Sequence, residues 1–227
     1  MALLLNIDTS VEAASVCLAK DDKVLAFSKN ARGEFAGEKR QDHTAWLHVA
    51  IKEMFDKTGS AIGSIDGISV TEGPGSYTGL RIGMATAKGI CYALNKPLIT
   101  LNTLLVMANA AKTSEAELLG PMIDARRMEV FAAIYTKDLR VVKDPMAITL
   151  NEKSFDEELT QNTICFFGNG SDKFQKIKNH PKAFFRKIDF DATTMVSLAQ
   201  EKFNRKEFAD LAYAEPLYLK EFYTPAR

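Results

Sequence analysis

Short apolar runs separated by polar turns dominate the first third of the chain. Residues 3–7 form a continuous apolar run that ends at Asp8-Thr9-Ser10, which predicts a buried strand and a polar turn. Residues 14–19 and 23–28 flank Asp21-Asp22 and predict a hairpin. From residue 42 to residue 57 apolar side chains recur at helical spacing, which predicts a helix after the hairpin.

The stretch from Ile68 to Leu94 predicts a strand, a glycine turn and a long helix. The turn reads Glu72-Gly73-Pro74-Gly75-Ser76, and the helix begins near Tyr77. Gly73 and Gly75 permit a positive φ or a close backbone approach, and Ser76 suits the N-cap of the helix. Unpaired N–H groups at a helix start bind anions, which makes this turn a candidate nucleotide loop. A tight structural turn is the alternative, and the spacing by itself favours it.

Small residues recur every four positions along this helix. One row is Gly79, Gly83 and Ala87, and a neighbouring row is Ala85, Gly89 and Ala93. A glycine inside a helix costs about 1 kcal/mol relative to alanine, so close packing against bare backbone should offset that cost. The packed neighbour is either another part of this chain or a partner protein. As a partner interface, the helix would use these residues: Gly79, Gly83, Ala85, Ala87, Gly89 and Tyr92.

The second half of the chain repeats the order of the first. Ile123-Asp124-Ala125 followed by an apolar run at 130–133 echoes Ile7-Asp8-Thr9 followed by the run at 16–19. A further apolar run then enters Gly168-Asn169-Gly170-Ser171 and another helix. The repeat predicts a duplicated α/β fold of two lobes, 1–105 and 106–227, each a mixed sheet flanked by helices, with a cleft between them.

Composition and charge exclude several classes of function. The 227 residues include 29 Lys plus Arg and 29 Asp plus Glu, so the chain as a whole is not an electrostatic nucleic-acid binder. Cys17, Cys91 and Cys165 lie in apolar runs without metal-ligand spacing, which suits free thiols in a reducing compartment. The start of the sequence lacks a signal-peptide pattern, and no run reaches membrane-spanning length. We therefore expect a cytoplasmic protein.

Basic residues form two candidate anion sites in the second half. Arg126 and Arg127 lie in a hairpin-like turn that faces the expected cleft, where a guanidinium could bind a phosphate or a carboxylate. A local ion pair with Glu129 or Asp124 is the alternative. Farther along, cations interleave with aromatic residues in a pattern compatible with an RNA backbone contact, although such runs are usually solvated faces. They are Lys173, Phe174, Lys176, Lys178, Lys182, Phe184, Phe185, Arg186 and Lys187.

Five motifs together resemble the bacterial TsaB (YeaZ) family, which comprises small relatives of the TsaD proteins in the actin-like ATPase, sugar kinase and hexokinase (ribonuclease H-like) fold class. The motifs are Ile7-Asp8-Thr9-Ser10, the run GPGSYTGLRIG at 73–83, Asp124-Ala125-Arg126-Arg127, Gly168-Asn169-Gly170 and Pro216-Leu217-Tyr218-Leu219. The resemblance implies a noncatalytic subunit that binds TsaD in the machinery that places threonylcarbamoyl on the adenosine beside the tRNA anticodon. It also implies that TsaE joins the complex and that TsaC makes threonylcarbamoyl-adenylate.

The residues that would carry catalysis in relatives of this fold class are incomplete here. Kinases of the class keep a metal-orienting aspartate beside a phosphate loop that contains glycine, whereas Asp8-Thr9-Ser10 has none. With Gly73, Gly75 and Ser76 it predicts at most a vestigial nucleotide site. TsaD-type relatives hold a metal on an H-x-x-x-H helix, but His43 and His48 lie roughly 140° apart around their helix. We expect no catalytic residues, no metal and no cofactor.

Two rival functions stay open on the sequence. One is a stand-alone ATPase or small-molecule kinase of the same fold, and a more remote one is a glycoprotease-like metallopeptidase. Nucleotide binding by the isolated protein would separate the ATPase from the subunit. We also expect a homodimer when TsaD is absent, an indirect or weak contact with tRNA, and no membrane association.

Overall fold

The computed structural model describes residues 2–30 and 43–220, without the side chains at 43–45. The chain divides into two compact units, each built on a five-stranded sheet. The strands of the first unit are β1 Leu3–Asp8, β2 Ser15–Lys20, β3 Lys23–Lys29, β4 Gly67–Gly73 and β5 Leu98–Asn102. Its long helices are α1 His43–Thr58, α2 Tyr77–Leu94 and α6 Val196–Arg205, and α3 Thr103–Ala110 follows β5.

The first sheet is mixed, with the order β3-β2-β1-β4-β5. The strands β1, β2 and β3 pair in an antiparallel meander, while β4 pairs parallel with both β1 and β5. Parallel neighbours need a crossover connection, and α1 and α2 supply it. Both faces of the central strand β1 are therefore covered, which agrees with its nearly continuous apolar sequence.

The second unit has the same arrangement of strands. Its elements are β6 Leu118–Asp124, β7 Glu129–Thr136, β8 Val141–Thr149, α4 Asp156–Gln161, β9 Ile164–Phe167, α5 Ser171–Gln175 and β10 Ala183–Phe185. The order is β10-β9-β6-β7-β8, with an antiparallel meander from β6 to β8 and with β9 and β10 parallel to β6. The predicted duplicated α/β fold with mixed sheets is confirmed.

Each unit has its own hydrophobic core. In the first unit, Leu5 and Ile7 of β1 and Val70 of β4 pack with Leu47 of α1 and Met84 of α2. In the second unit the core is aromatic, and Phe166 meets Phe174 edge to face with ring centroids 5.0 Å apart. Cys17, Cys91 and Cys165 are buried and free, as predicted, and burial raises the pKa of the Cys17 thiol to about 12.

The division between the units differs from the predicted boundary. The first unit runs to Val106, close to the predicted end of the first lobe, but it also contains Phe190–Pro216, which the prediction assigned to the second lobe 106–227. The reason is that α6 and the segment after it pack on the first sheet. The Lys202 ammonium donates to the Thr100 carbonyl, and Ala209 bridges to the edge strand β5 at Leu98.

Candidate functional site

The candidate nucleotide turn lies where β1 ends and α2 begins. Asp8 is fully buried, and its Oδ1 atom accepts three hydrogen bonds: from the Ser10 backbone N–H at 3.0 Å, the Ser10 hydroxyl at 2.6 Å and the Thr71 hydroxyl at 2.9 Å. The Asp8 side chain thereby fixes the turn that follows its own strand to the neighbouring strand β4. Its oxygen atoms face the protein interior and not the surface.

Burial raises the pKa of Asp8. The hydrogen bonds from Ser10 and Thr71 lower it by less, and the negative charge of Asp191 adds to the upward shift. Among the described residues, the other carboxylate oxygen, Oδ2, has no hydrogen-bond partner. Burial therefore disfavours the charged form of this carboxyl group.

Three glycines of the turn and of α2 pack directly against the residues after β1. A Cβ atom on Gly75 would lie 2.2 Å from the Ser10 carbonyl oxygen, and one on Gly79 would lie 2.1 Å from the Thr9 carbonyl oxygen. On Gly83 it would lie 2.2 Å from the Thr9 hydroxyl oxygen. No Cβ atom fits at such distances, so glycine is needed at these positions because the chain packs against itself.

Two backbone donors around the start of α2 also find partners within the turn. The Ser76 N–H donates to the Ser10 carbonyl at 2.7 Å, and the Ser76 side chain caps the helix by accepting from the Gly79 N–H at 3.3 Å. Gly73 has a φ of 123° at the end of β4, which only glycine adopts readily. The structure thus brings together Asp8, Thr9, Ser10, Gly73, Gly75 and Ser76. Ser10 and Ser76 are hydrogen-bonded within the turn, whereas Asp8 Oδ2 and the Thr9 hydroxyl oxygen have no partner among the described residues.

The six residues predicted as a partner interface do not share one face of α2. Gly79, Gly83 and Ala87 are buried against the interior of their own unit, so the prediction is corrected for these three. Ala85 and Gly89 are exposed, and Tyr92 is 83% exposed. A Cβ atom on Gly89 would have no neighbour within 4 Å among the described residues. The row of small residues that contains Ala85 and Gly89 is therefore the one at the surface.

Arg81, which was not among the six predicted interface residues, extends this exposed row toward the start of the helix. Its guanidinium lies 4.1 Å from the centre of the Tyr77 ring, one helical turn earlier. The spacing of four residues between Tyr77 and Arg81 is the signal that could have identified the pair. We name the exposed residues Arg81, Ala85, Gly89 and Tyr92 the outer stripe of α2.

A groove of about 430 Å³ lies beside α2, between it and α1. Ile51 and Phe55 of α1, the 3₁₀ turn Ile62–Ser64 and Ile90 of α2 contribute to its lining. Ile90 follows Gly89 directly in the sequence, so the groove borders the outer stripe.

In the second unit, Lys173 determines the conformation of the turn that contains the two arginines. Arg126 and Arg127 both have positive φ values, 70° and 48°, and both are exposed. The Lys173 ammonium donates to the Asp124 carboxylate at 2.8 Å, to the Arg127 carbonyl at 2.9 Å and to the Glu129 carbonyl at 2.6 Å. Asp124 therefore forms an ion pair with Lys173, and Glu129 forms one with Lys220. The sequence had offered an arginine of the turn as the partner of these two carboxylates.

The interleaved cations and aromatic residues do not form one continuous basic face. Phe174 and Phe185 belong to the aromatic core, and Lys178 is buried beside Asp156. The Lys182 ammonium donates to the Thr160 carbonyl. Phe184, Arg186 and Lys187 line a separate pocket.

The histidines do not come together in the described part of the chain. His48 is exposed, and His180 accepts a hydrogen bond at Nδ1 from the Lys182 N–H. The side chain of His43 lies outside the described residues. Residues 2–30 and 43–220 contain no group of three potential metal ligands, and none of their helices combines the length and the apolar character needed to cross a membrane.

Comparisons with known proteins agree with one another. The family model described as "TsaD: tRNA N6-adenosine threonylcarbamoyltransferase" matches residues 34–214. The "tRNA threonylcarbamoyladenosine biosynthesis protein TsaB" of Buchnera aphidicola subsp. Baizongia pistaciae is 31% identical over 96% of this chain and 98% of that protein. The protein of the same name from Escherichia coli K12 is 34% identical over 60% of this chain and 55% of its own length.

Two solved structures share the whole architecture. "YeaZ from Pseudomonas aeruginosa" superimposes with a TM-score of 0.78 and 25% identity over 96% of this chain and 100% of that chain. A crystal structure described as an uncharacterized protein similar to peptidase YEAZ from Pseudomonas aeruginosa gives a TM-score of 0.83 at 25% identity, over 97% of this chain and 100% of that one.

Proposed function

The chain belongs to the TsaB (YeaZ) family, and from that premise we propose that it serves the biosynthesis of threonylcarbamoyladenosine in tRNA as a noncatalytic subunit that binds a TsaD-type transferase. The reaction is inferred from the names of the relatives. The role of this subunit in that reaction is inferred from the residues of the chain itself.

The observation that carries the partner role is the outer stripe of α2. Gly89 lies inside a helix, where it costs about 1 kcal/mol relative to alanine, yet no described atom packs against the place of its missing side chain. Packing against the described residues therefore does not account for this glycine. A partner helix lying against Ala85 and Gly89 would account for it, and the exposed Tyr92 ring would add an aromatic contact of the kind enriched at interfaces.

The closed turn after β1 supports a noncatalytic role. A kinase or an ATPase needs a charged carboxylate and free backbone donors at the phosphates. Here Asp8 is buried and its pKa is raised by that burial, while the Ser76 N–H is bonded to the Ser10 carbonyl. The proposal extends to three further points: a TsaE-type ATPase joins the complex, tRNA contacts are indirect or weak, and the complex works in the cytoplasm.

The test of the proposal is a binding and reconstitution experiment with the TsaD, TsaC and TsaE proteins of the same cell. Gly89→Leu and Ala85→Leu place a bulky side chain on the outer stripe, and Glu201→Leu on α6 is a matched control because Glu201 is also an exposed helical residue. We expect both stripe variants to fold and to lose at least about tenfold in affinity for TsaD, which equals about 1.4 kcal/mol. The control should bind normally.

Two results would contradict the proposal. Normal TsaD binding by both stripe variants would show that the outer stripe is not the interface. Formation of threonylcarbamoyladenosine from tRNA and threonylcarbamoyl-adenylate by this chain alone, without TsaD, would show that the subunit is itself catalytic.

A further inference from the structure

A pocket of about 530 Å³ lies in the second unit, on one face of the edge strand β10. The turn after α3 borders it on one side, and the segment after β10 borders it on the other. Its chemically distinctive lining residues are Ser114, Glu115, Cys165, Phe184, Arg186 and Lys187. The volume falls within the range of about 300–1,000 Å³ that is typical of small-molecule sites. We name it the β10 pocket.

The register of β10 explains why Phe184 faces this pocket. Phe184 pairs with Cys165 of β9, and neighbouring side chains in a parallel pair lie on the same face of the sheet. The next residue, Phe185, points to the opposite face, where its ring centroid lies 5.6 Å from that of Phe166 in the aromatic core. Phe184 is therefore not part of that core. It is 38% exposed and presents an aromatic surface to the pocket.

Two cations lie beside this aromatic surface. Arg186 is two residues beyond Phe184 and so returns to the same face, and its guanidinium is anchored by a hydrogen bond of 3.1 Å to the Phe185 carbonyl. Cys165 and Arg186 both line the pocket. Burial raises the pKa of Cys165, and the hydrogen bond with Ser114 and the charge of Arg186 act in the opposite direction. Within residues 2–30 and 43–220, neither Arg186 nor Lys187 forms an ion pair.

We propose that the β10 pocket binds a nucleotide, with its base stacked on Phe184 and its phosphate held by Arg186 and Lys187. A guanidinium forms bidentate, charge-assisted hydrogen bonds with phosphate, and a base stacks on an exposed aromatic ring without regard to its sequence. Ser114 and Glu115 also line the pocket, and a hydroxyl and a carboxylate are groups that can bind the hydroxyl and amino groups of a nucleoside. This site is separate from the turn after β1, and the inference does not rest on the proposed function.

The same chemistry has two sources: a free mononucleotide, or a nucleotide within a single RNA strand. The experiment measures binding to the full chain by calorimetry with four probes: AMP, adenosine, inorganic phosphate and a five-nucleotide oligoadenylate. The variants are Phe184→Leu, Arg186→Gln and Lys187→Ala. Lys137→Ala is the matched control, because Lys137 is an exposed lysine of the same unit outside the pocket.

We expect AMP to bind the wild-type chain, and each pocket variant to weaken binding about tenfold while the control leaves it unchanged. Adenosine and phosphate should each bind more weakly than AMP. If the oligoadenylate binds more tightly than AMP, and the pocket variants weaken its binding as they weaken that of AMP, the ligand is a nucleotide within an RNA strand. Equal affinities identify the free nucleotide.

Three results would overturn the inference. They are binding of neither AMP nor the oligonucleotide, binding that none of the pocket variants weakens, and phosphate binding as tight as AMP binding that Phe184→Leu leaves unchanged. Circular dichroism checks the fold of each variant. If Phe184→Leu disturbs the edge strand, the decision rests on Lys187→Ala, because Lys187 is exposed and lies after the end of β10.

Discussion

Gly79 of α2 lies against the carbonyl group of Thr9, so close that a Cβ atom on Gly79 would be 2.1 Å from the Thr9 oxygen. This contact joins the start of the long helix to the turn after β1. The same contact explains why the row Gly79, Gly83 and Ala87 consists of small residues. The residues after β1 occupy the space that larger side chains on this face of α2 would need. In the second row, Ala85 is exposed, and no described atom lies within 4 Å of the place that a Cβ atom on Gly89 would take.

Alanine substitutions at Gly79 and Gly89 should therefore change stability in opposite directions. We expect Gly79→Ala to lower the free energy of unfolding by about 1–3 kcal/mol, because the new methyl group forces the helix away from Thr9. Gly89→Ala should raise it by nearly 1 kcal/mol, because alanine is the better helix former and meets no neighbour. Urea denaturation of both variants measures the difference. A similar loss in both would show that Gly89 is also packed within the chain.

The stability of Asp8→Asn relative to the wild type should increase as the pH rises. The folded-state pKa of Asp8 is above its ordinary value of 3.8, chiefly because the group is buried. Its favourable contribution to stability is therefore complete below pH 3.8 and is lost as the pH rises through the folded-state pKa. Asparagine keeps an acceptor oxygen for Ser10 and Thr71 and carries no charge to bury. We measure the free energy of unfolding of both proteins at a series of pH values. The value for the variant minus that for the wild type should increase above pH 3.8. A difference that does not depend on pH would contradict this account.

Lys173→Met should destabilise the second unit, whereas Lys176→Met should not. The Lys173 ammonium bonds to Asp124 and to the carbonyl groups of Arg127 and Glu129, and methionine can replace only its aliphatic part. We expect a loss of about 2 kcal/mol in the free energy of unfolding, which is typical of charged hydrogen bonds. Lys176 is exposed and serves as the control. Equal effects of the two substitutions in urea denaturation would show that the bonds of Lys173 do not stabilise the turn.

The penalty of Lys173→Met should also shrink in acid. Burial acts to raise the pKa of Asp124, but the hydrogen bonds from Lys173 and the Arg126 N–H outweigh it, so the pKa lies below 3.8. A carboxylate with a lowered folded-state pKa contributes stability above its ordinary pKa and loses it as the pH falls through the folded-state value. The pH series should therefore show the two proteins converging below pH 3.8. A penalty that grows in acid would mean that Asp124 is not the partner responsible.

Self-association should depend on the same outer stripe as TsaD binding. We expect the isolated chain to form a dimer in sedimentation experiments, since an exposed apolar face binds a second copy when its partner is absent. Gly89→Leu should shift it to the monomer, Glu201→Leu should not, and added TsaD should displace the dimer. A dimer that persists in Gly89→Leu and that coexists with bound TsaD would place the two contacts on different surfaces.

Mg·ATP should not bind tightly at the turn after β1. Asp8 faces inward, and the Ser76 N–H is already bonded to the Ser10 carbonyl. A ligand present at a hundred times its dissociation constant raises the free energy of unfolding by about 2.7 kcal/mol, which thermal denaturation detects easily. We expect no such shift that depends on Asp8. Micromolar ATP binding in calorimetry, lost on Asp8→Asn, would favour the stand-alone ATPase.

The sequence by itself determined the repeated order of strands and helices, because hydrophobic periodicity and turn residues act over a few neighbouring positions. It placed the N-cap at Ser76 correctly, and the structure ends α2 at Leu94, the last residue of the predicted stretch, with Asn95 as a left-handed C-cap. It also identified the two rows of small residues on α2 and the burial of the three cysteines. Each of these follows from local chemistry.

Only the tertiary structure decided which row of α2 faces the interior. The periodicity of the sequence shows that two faces of α2 carry only small residues. The Thr9 backbone that packs against one of these faces is about seventy residues away in the chain. For the same reason the sequence could not assign Phe190–Pro216 to the first unit, or pair Lys173 with Asp124. These relationships depend on contacts between distant segments, whose energies arise from packing and charge after the sheets have formed and not from any pattern in neighbouring residues.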